Sequence, residues 1–180
     1  MPSGWGLSWG GWLDNRRGEW WLLGQVLLIS AHLLPTWPAI TTLGLQGWPL
    51  SLVLLGALVL TIGVVLAYTA FLALGSNLCP LPEPGQGNTL VTAGPYSRCR
   101  HPMYQAVLIC SLGVVIALGS LLHLLLLLCL ALLLRGKAKR EERPLLALHP
   151  QYCLYQREVP AIIPNCPGLD WPRQRSSPDS

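Results

Sequence analysis

Two polar clusters hold the side chains of this sequence best suited to chemistry. The first, Gly94-Pro95-Tyr96-Ser97-Arg98-Cys99-Arg100-His101-Pro102-Met103-Tyr104, sets two guanidiniums, an imidazole and two phenols between long uncharged runs. The second, Lys137-Ala138-Lys139-Arg140-Glu141-Glu142-Arg143, places two adjacent carboxylates among four cations. Pro102 after His101 suits a helix start, where free amides and the helix dipole favour an anion, and Arg98 and Arg100 add charge there. Adjacent carboxylates near a membrane surface are costly without water or cations, so a cationic ligand is one solution for Glu141 and Glu142. If both clusters reach one face of a membrane, they can complete one site. Plainer readings stand beside this one. The arginines, Tyr96 and Tyr104 can anchor a helix at the headgroups, His101 can cap a helix, and Lys137 with Glu141, or Lys139 with Glu142 or Arg143, can be surface pairs. His123, deep in an apolar run, is expected to be satisfied by a neighbouring helix carbonyl rather than to bind a metal.

The elements that must position these clusters are membrane helices. Only 11% of the 180 residues are charged and 52% are hydrophobic, far from the balance of a water-soluble domain. No Asp, Glu, Lys or Arg occurs in residues 20–82 or 101–134. Arg16 and Arg17 precede the first apolar stretch, as in a signal peptide, but no short apolar region with a small-residue cleavage site follows, so the first span is read as retained. Six cysteines are scattered without a CxxC pair, which indicates neither a zinc site nor a disulfide framework. The formal charge of +4 comes from basic residues flanking apolar spans, a positive-inside pattern rather than a nucleic-acid surface.

A first span is expected over residues 20–37, with Trp20, Trp21 and Trp37 near its ends and Pro35 and Pro38 closing or bending it. A second covers residues 50–74 behind Pro49; at ~39 Å it exceeds a ~30 Å hydrocarbon core and must tilt or project. Residues 75–88, rich in Pro and Gly, form a loop. Residues 104–134 would make one helix of ~46 Å or, split at Gly119-Ser120, a hairpin with arms of ~21–23 Å. Charge bias selects the hairpin, because all twelve Lys and Arg residues then fall on one side of a four-span bundle with both termini cytoplasmic. The turn then lies near apolar depth, buried by its neighbours. Beyond Leu134 the helix continues out of the membrane to Leu148, with Pro150 as its stop, and the Pro-, Ser- and Arg-rich tail from Cys166 is expected to fray. The expected fold is therefore all-α, a polytopic membrane helix bundle of about four transmembrane helices with a helical hairpin and a cytoplasmic C-terminal helix.

Taken in order, Asn88-Thr89-Leu90-Val91-Thr92-Ala93-Gly94-Pro95-Tyr96, Arg100-His101-Pro102-Met103-Tyr104, the hydrophobic hairpin, Glu141-Glu142, and Tyr152-x-x-Tyr155 with Val159-Pro160 resemble one family. It is the isoprenylcysteine carboxyl methyltransferase and phospholipid methyltransferase family of integral membrane enzymes. The resemblance covers about residues 75–164 and divides the chain into a two-span region (1–74), a methyltransferase core (75–164) and a flexible tail (165–180). It implies S-adenosylmethionine bound at the cytoplasmic face and a lipid-like acceptor entering from the bilayer. Position by position, it implies that Asn88, Thr89, Leu90, Val91, Tyr96, His101, Pro102, Met103, Tyr104 and Glu141 line the cofactor, with Glu142 supporting or sharing that role. Lys137, Glu141 and His101 fall nearest the chemistry. Lys137 stands where eukaryotic carboxyl methyltransferases place a substrate-orienting arginine, and His149-Pro150-Gln151-Tyr152 departs from the usual Phe-Gly-x-x-Tyr.

The activity so implied is methylation of a carboxyl, thiol or amine on a lipid-like or prenylated acceptor drawn from the bilayer, with membrane lipids as partners and neither nucleic acid nor metal. Methyl transfer from a sulfonium is an in-line displacement, so the protein's part is chiefly positioning. The donor's positive charge suits the glutamates, and its carboxylate suits His101, the arginines and free amides. A thiolate or carboxylate acceptor needs no base; a protonated amine does, and no residue stands out for that step. The alternative is a catalytically silent lipid-binding or scaffold protein that keeps the fold, motivated by the departures at Lys137 and His149-Pro150. A transporter is disfavoured because the spans carry no charged residue to line a path. The acceptor, the host membrane and the oligomeric state stay open.

Overall fold

The computed structural model describes residues 18–38, 47–75 and 90–171. Arg16, Arg17, Asn88, Thr89 and the tail beyond residue 171 lie outside them. The described residues form helices α1 (Glu19–Ala31), α2 (Leu50–Leu74), α3 (Pro102–Leu118), α4 (Leu121–Leu148) and α5 (Tyr152–Glu158), with a 3₁₀ turn at Gly94–Ser97. The all-helical expectation holds. Among the described residues, α2 and α4 are long and apolar enough to cross a membrane, and α1 and α3 are apolar but shorter. Leu54, Leu58, Val65 and Leu72 of α2 face outward, an arrangement that suits a hydrocarbon solvent.

The first helix is shorter than residues 20–37. His32 ends it: its amide bonds to the Ile29 carbonyl, and its ring Nδ1 donates to the Leu28 carbonyl at 2.8 Å, so its own side chain satisfies a terminal acceptor. His123, fully buried on α4, donates Nε2 to the His32 carbonyl at 3.3 Å, which is the neighbouring-carbonyl partner expected for it.

The helices pack in a row, α2 on α3, α3 on α4 and α4 on α1. The α2–α3 seam is made by small residues. Gly56, Gly63 and Ala70 recur every seven positions and are buried. A Cβ at Gly56 would sit 2.5 Å from the Gly113 carbonyl and the Ala117 amide, and one at Gly113 would sit 2.6 Å from the Leu60 amide. The backbones approach as closely as glycine permits, which maximises packing where lipid supplies no hydrophobic drive.

The hairpin turns at Gly119-Ser120, as the charge bias requires. Gly119 takes φ 58°, a left-handed conformation disfavoured once a Cβ is present, and closes α3 by bonding to the Val115 carbonyl. The Trp48 ring covers it, while Ser120 Oγ donates to the Trp37 carbonyl and accepts from the Trp37 amide, so the turn's polar groups are paired inside the protein. From there α4 runs unbroken to Leu148, with Pro144 inside its last turns. The core joins Tyr104 and Leu108 of α3, Leu130, Leu134 and Ala138 of α4, and Ile162.

Residues 166–171, expected to begin a frayed tail, instead turn back on the bundle. Asp170 accepts the amides of Ala161 and Asn165 on its two carboxylate oxygens, and Leu169 accepts the amides of Ile162 and Ile163. The Pro, Ser and Arg content that suggested fraying is concentrated beyond residue 171.

Candidate functional site

The two clusters meet. Arg100 and His101 lead into α3, their amides bonding to the carbonyls of Pro160 and Ala161 at 2.9 and 3.0 Å, so the segment after α5 fixes the angle at which both side chains point. Glu141 and Glu142 extend from α4 beyond its apolar run, about 100° apart around the helix as consecutive residues must be. That rotation gives them different surroundings.

Glu142 is buried and surrounded by protein donors. His101 Nε2 donates to its Oε1 at 3.1 Å, Gln156 Nε2 to Oε2 at 3.0 Å, and Trp171 Nε1 to Oε2 at 2.8 Å. Arg100 Nε lies 3.2 Å from Oε1, an ion pair by distance whose angle falls outside hydrogen bonding. Glu141 turns toward α3. Tyr104 donates its hydroxyl to Glu141 Oε1, and Oε2 lies 3.7 Å from His101 Nδ1, beyond a hydrogen bond. The Glu141 side chain is 18% exposed against 6% for Glu142. His101 stacks parallel on Tyr104, with ring centroids 5.4 Å apart, and so links the two carboxylates.

Arg100 is committed in part to the protein. It is held by Glu142, donates Nη1 to the Gln156 carbonyl at 3.3 Å and lies over the Trp171 ring; its buried Nη2 has no hydrogen-bond partner among the described residues. Lys137, whose plainer reading is a surface pair with Glu141, is buried and donates to Gln25 Oε1 of α1 at 2.8 Å, its ammonium 5.3 Å from the Tyr104 ring centre. Lys139 lies over Trp171 rather than beside Glu142.

The remaining expected residues are placed less centrally. Pro102 is the first residue of α3 and fully buried, Met103 packs against the core, and Leu90 and Val91 lie half-buried on the irregular approach to the 3₁₀ turn. Tyr96 is buried in that turn, and its carbonyl accepts the Tyr155 hydroxyl at 2.5 Å. Burial, followed by the nearby Glu141 charge, pushes the Tyr96 phenol up to about 12, and burial likewise raises Tyr152 and Tyr155, so all three stay protonated donors. Burial also pushes the Cys99 thiol up to about 11; its Sγ lies 3.1 and 3.2 Å from the carbonyl oxygens of Ala161 and Ile162.

Sequence reasoning missed Gln25, Gln156 and Trp171. Gln25 is a lone amide in an apolar run and Gln156 follows the Tyr155 of the quoted motif, signals that were legible; Trp171 was hidden by the polar composition around it.

The described residues hold no group of three or more His, Cys, Asp or Glu placed to bind a metal. Comparison with known proteins gives consistent relatives. A family model described as phospholipid methyltransferase matches residues 51–149. The cobalt-zinc-cadmium resistance protein CzcN of Cupriavidus metallidurans is 36% identical over 59% of this chain and 50% of its own length. The nickel-cobalt-cadmium resistance protein NccN of Alcaligenes xylosoxydans xylosoxydans is 33% identical over 61% of this chain and 52% of its own. Among solved structures, the eukaryotic intramembrane Ras methyltransferase ICMT (isoprenylcysteine carboxyl methyltransferase) superposes with a TM-score of 0.59 at 35% identity, covering 63% of this chain and 42% of that one. The chain thus spans about half the length of the curated relatives it matches.

Proposed function

The chain belongs to the phospholipid methyltransferase family, and from that premise we propose that it is an integral membrane, S-adenosylmethionine-dependent methyltransferase acting on a lipid-like or prenylated acceptor. The observation that carries the reading is the convergence of Glu141 with His101 and Tyr104 just beyond the apolar run of α4.

These residues fit the cofactor. Glu141 keeps one carboxylate oxygen beyond hydrogen-bond reach of His101, acceptor capacity for a cation, and Arg100 Nη2 is a buried donor without a partner among the described residues, suited to a carboxylate or hydroxyl. When bound, S-adenosylmethionine supplies an electrophilic methyl on a sulfonium. Glu141 would hold its positive charge, and Tyr104, donating to that carboxylate and stacked on His101, fixes the direction in which the charge is held. Asn88, Thr89, Leu90, Val91 and Tyr96 would close the cofactor side, with Pro102 and Met103 setting the helix start. Lys137 lies at the α1–α4 boundary beside Tyr104, where it would orient an anionic part of the acceptor. The protein's contribution is alignment and exclusion of water. We further propose that both termini face the cytoplasm, following the positive-inside pattern.

Calorimetry of the full chain in nanodiscs should show saturable S-adenosylmethionine binding, weakened about tenfold or more in Glu141→Ala with little loss of thermal stability, as expected for a lost charge-assisted contact. No binding by the unaltered chain in either detergent or nanodiscs would sink the proposal. Isotopically labelled cofactor incubated with membrane extract, read by lipid mass spectrometry, identifies the acceptor class.

A further inference from the structure

The two adjacent glutamates differ in one respect that their sequence conceals: how many protein donors each already has. Glu142 receives three hydrogen bonds and an ion pair, two partners on each oxygen. A carboxylate offers about four lone-pair positions, so it has little left for a ligand. Glu141 receives one hydrogen bond from the described residues. We infer that Trp171 is a positioning residue, which with Gln156 anchors the outer oxygen of Glu142 so that its inner oxygen orients Arg100 and His101, leaving Glu141 as the carboxylate that meets the ligand's positive charge. This rests on the methyltransferase reading for what the ligand is.

Three features of Trp171 support the role. Its indole nitrogen donates to Glu142 at 2.8 Å, the shortest of that carboxylate's contacts. Its ring receives Arg100 on one contact and Lys139 on another, at 5.7 and 5.4 Å, and lies 6.3 Å from the His101 ring, so it touches the acid's cationic partner as well as the acid. Its backbone is delivered by residues 160–170, the same stretch whose carbonyls receive the Arg100 and His101 amides. One segment therefore fixes the backbone of the two bases and the side chain of the acid they share. A carboxylate held from both sides cannot rotate without breaking a charge-assisted bond, so His101 keeps the orientation in which its other nitrogen faces Glu141.

A double-mutant cycle on the full chain in nanodiscs tests this, with S-adenosylmethionine affinity read by calorimetry. Trp171→Phe keeps a ring for Arg100 and Lys139 but removes the N–H, and should weaken binding about three- to tenfold. Glu142→Gln should weaken it at least as much. The double variant should be no weaker than Glu142→Gln alone, because the indole acts through that carboxylate; a residue that merely packs would give additive losses. Additive losses, or a Trp171→Phe protein that binds like the unaltered one, would overturn the inference. Should Trp171→Phe fail to fold, Gln156→Met replaces it in the same cycle, having lost a donor to the same oxygen. If the unaltered chain binds no cofactor, the methyltransferase reading fails separately. The cycle is then read by thermal melting, where non-additivity keeps Trp171 as the anchor of Glu142 and additivity removes it.

Discussion

The α2–α3 seam and the carboxylate network occupy the same small protein and are held together by opposite means. In the seam, Gly56, Gly63 and Gly113 bring two helix backbones into contact, with little polar content beyond the Cys110 thiol packed against Gly63. In the network, Glu142 gathers Arg100, His101, Gln156 and Trp171 from three separate stretches of chain, and every member is polar or aromatic. Shape alone specifies the first, and charge balance the second. The seam tolerates almost no added volume yet rests little on polar bonds, the weak Cys110 thiol contact to the Leu60 carbonyl aside, whereas the network has room for conservative changes but fails when one charge is left alone. Stability and ligand chemistry should therefore separate in the seam and be entangled at Glu142.

Glu142→Ala should give the largest loss. It leaves the Arg100 guanidinium, 4% exposed, without its counter-charge, a defect that costs about 3–5 kcal/mol. Thermal melting should show this even without ligand, and a melting temperature as high as that of Glu141→Ala would mean the network carries no structural load. Next is Gly56→Leu, whose Cβ would fall 2.5 Å from backbone atoms of Gly113 and Ala117 that cannot swing aside. Overpacking of this kind costs about 1–3 kcal/mol or more, and the variant should lose folded yield on size-exclusion chromatography. Whatever folds should bind ligand with unchanged affinity, since the seam lies away from the carboxylates; a large affinity change would show the two regions coupled.

Gly119→Ala gives a smaller effect at the junction. It forces an L side chain to φ 58°, at about 1–2 kcal/mol, and directs its Cβ to 2.3 Å from the Trp48 ring. Destabilisation without loss of ligand affinity would place the hairpin turn with the seam.

The same contrast governs what could be read from the sequence. The seam helices and the hairpin were legible because apolar composition, Pro49 and Gly119-Ser120 are local signals that need no knowledge of neighbours. The meeting of Arg100 and His101 with Glu141 and Glu142 was legible only through charge bias, which puts residues on a face but not in contact. Which glutamate takes which partner was not. Arg100 and Glu142 are separated by the whole hairpin, and their pairing depends on where residues 160–171 lie, a stretch whose polar surroundings imply no order. The end of α1 was missed for the same reason: His32 is one of several polar residues that could terminate a helix, and its Nε2 contact with Ser111 of α3 exists only in the packed bundle.

The smallest effect concerns Cys99, and it tests whether residues 160–171 are seated at all. The Cys99 thiol is 1% exposed and faces the carbonyls of Ala161 and Ile162, and burial lifts it from 9.0 to about 11. At pH 8 about one thiol in a thousand would be ionised, and the thiolate is the reacting form. Maleimide should therefore modify the half-exposed Cys153 and Cys166 of the folded protein well before Cys99, as peptide mass spectrometry would show. Because the folded state holds the Cys99 proton more tightly than the unfolded chain, this stabilisation is full below about pH 9 and is lost as pH rises toward 11. Cys99 modification should accelerate across that window, and Trp171→Phe, by loosening the segment, should bring the acceleration to lower pH. Prompt modification of Cys99 at pH 8 in the unaltered protein would mean that the segment stands open, and with it the Glu142 network, while the α2–α3 seam would be untouched.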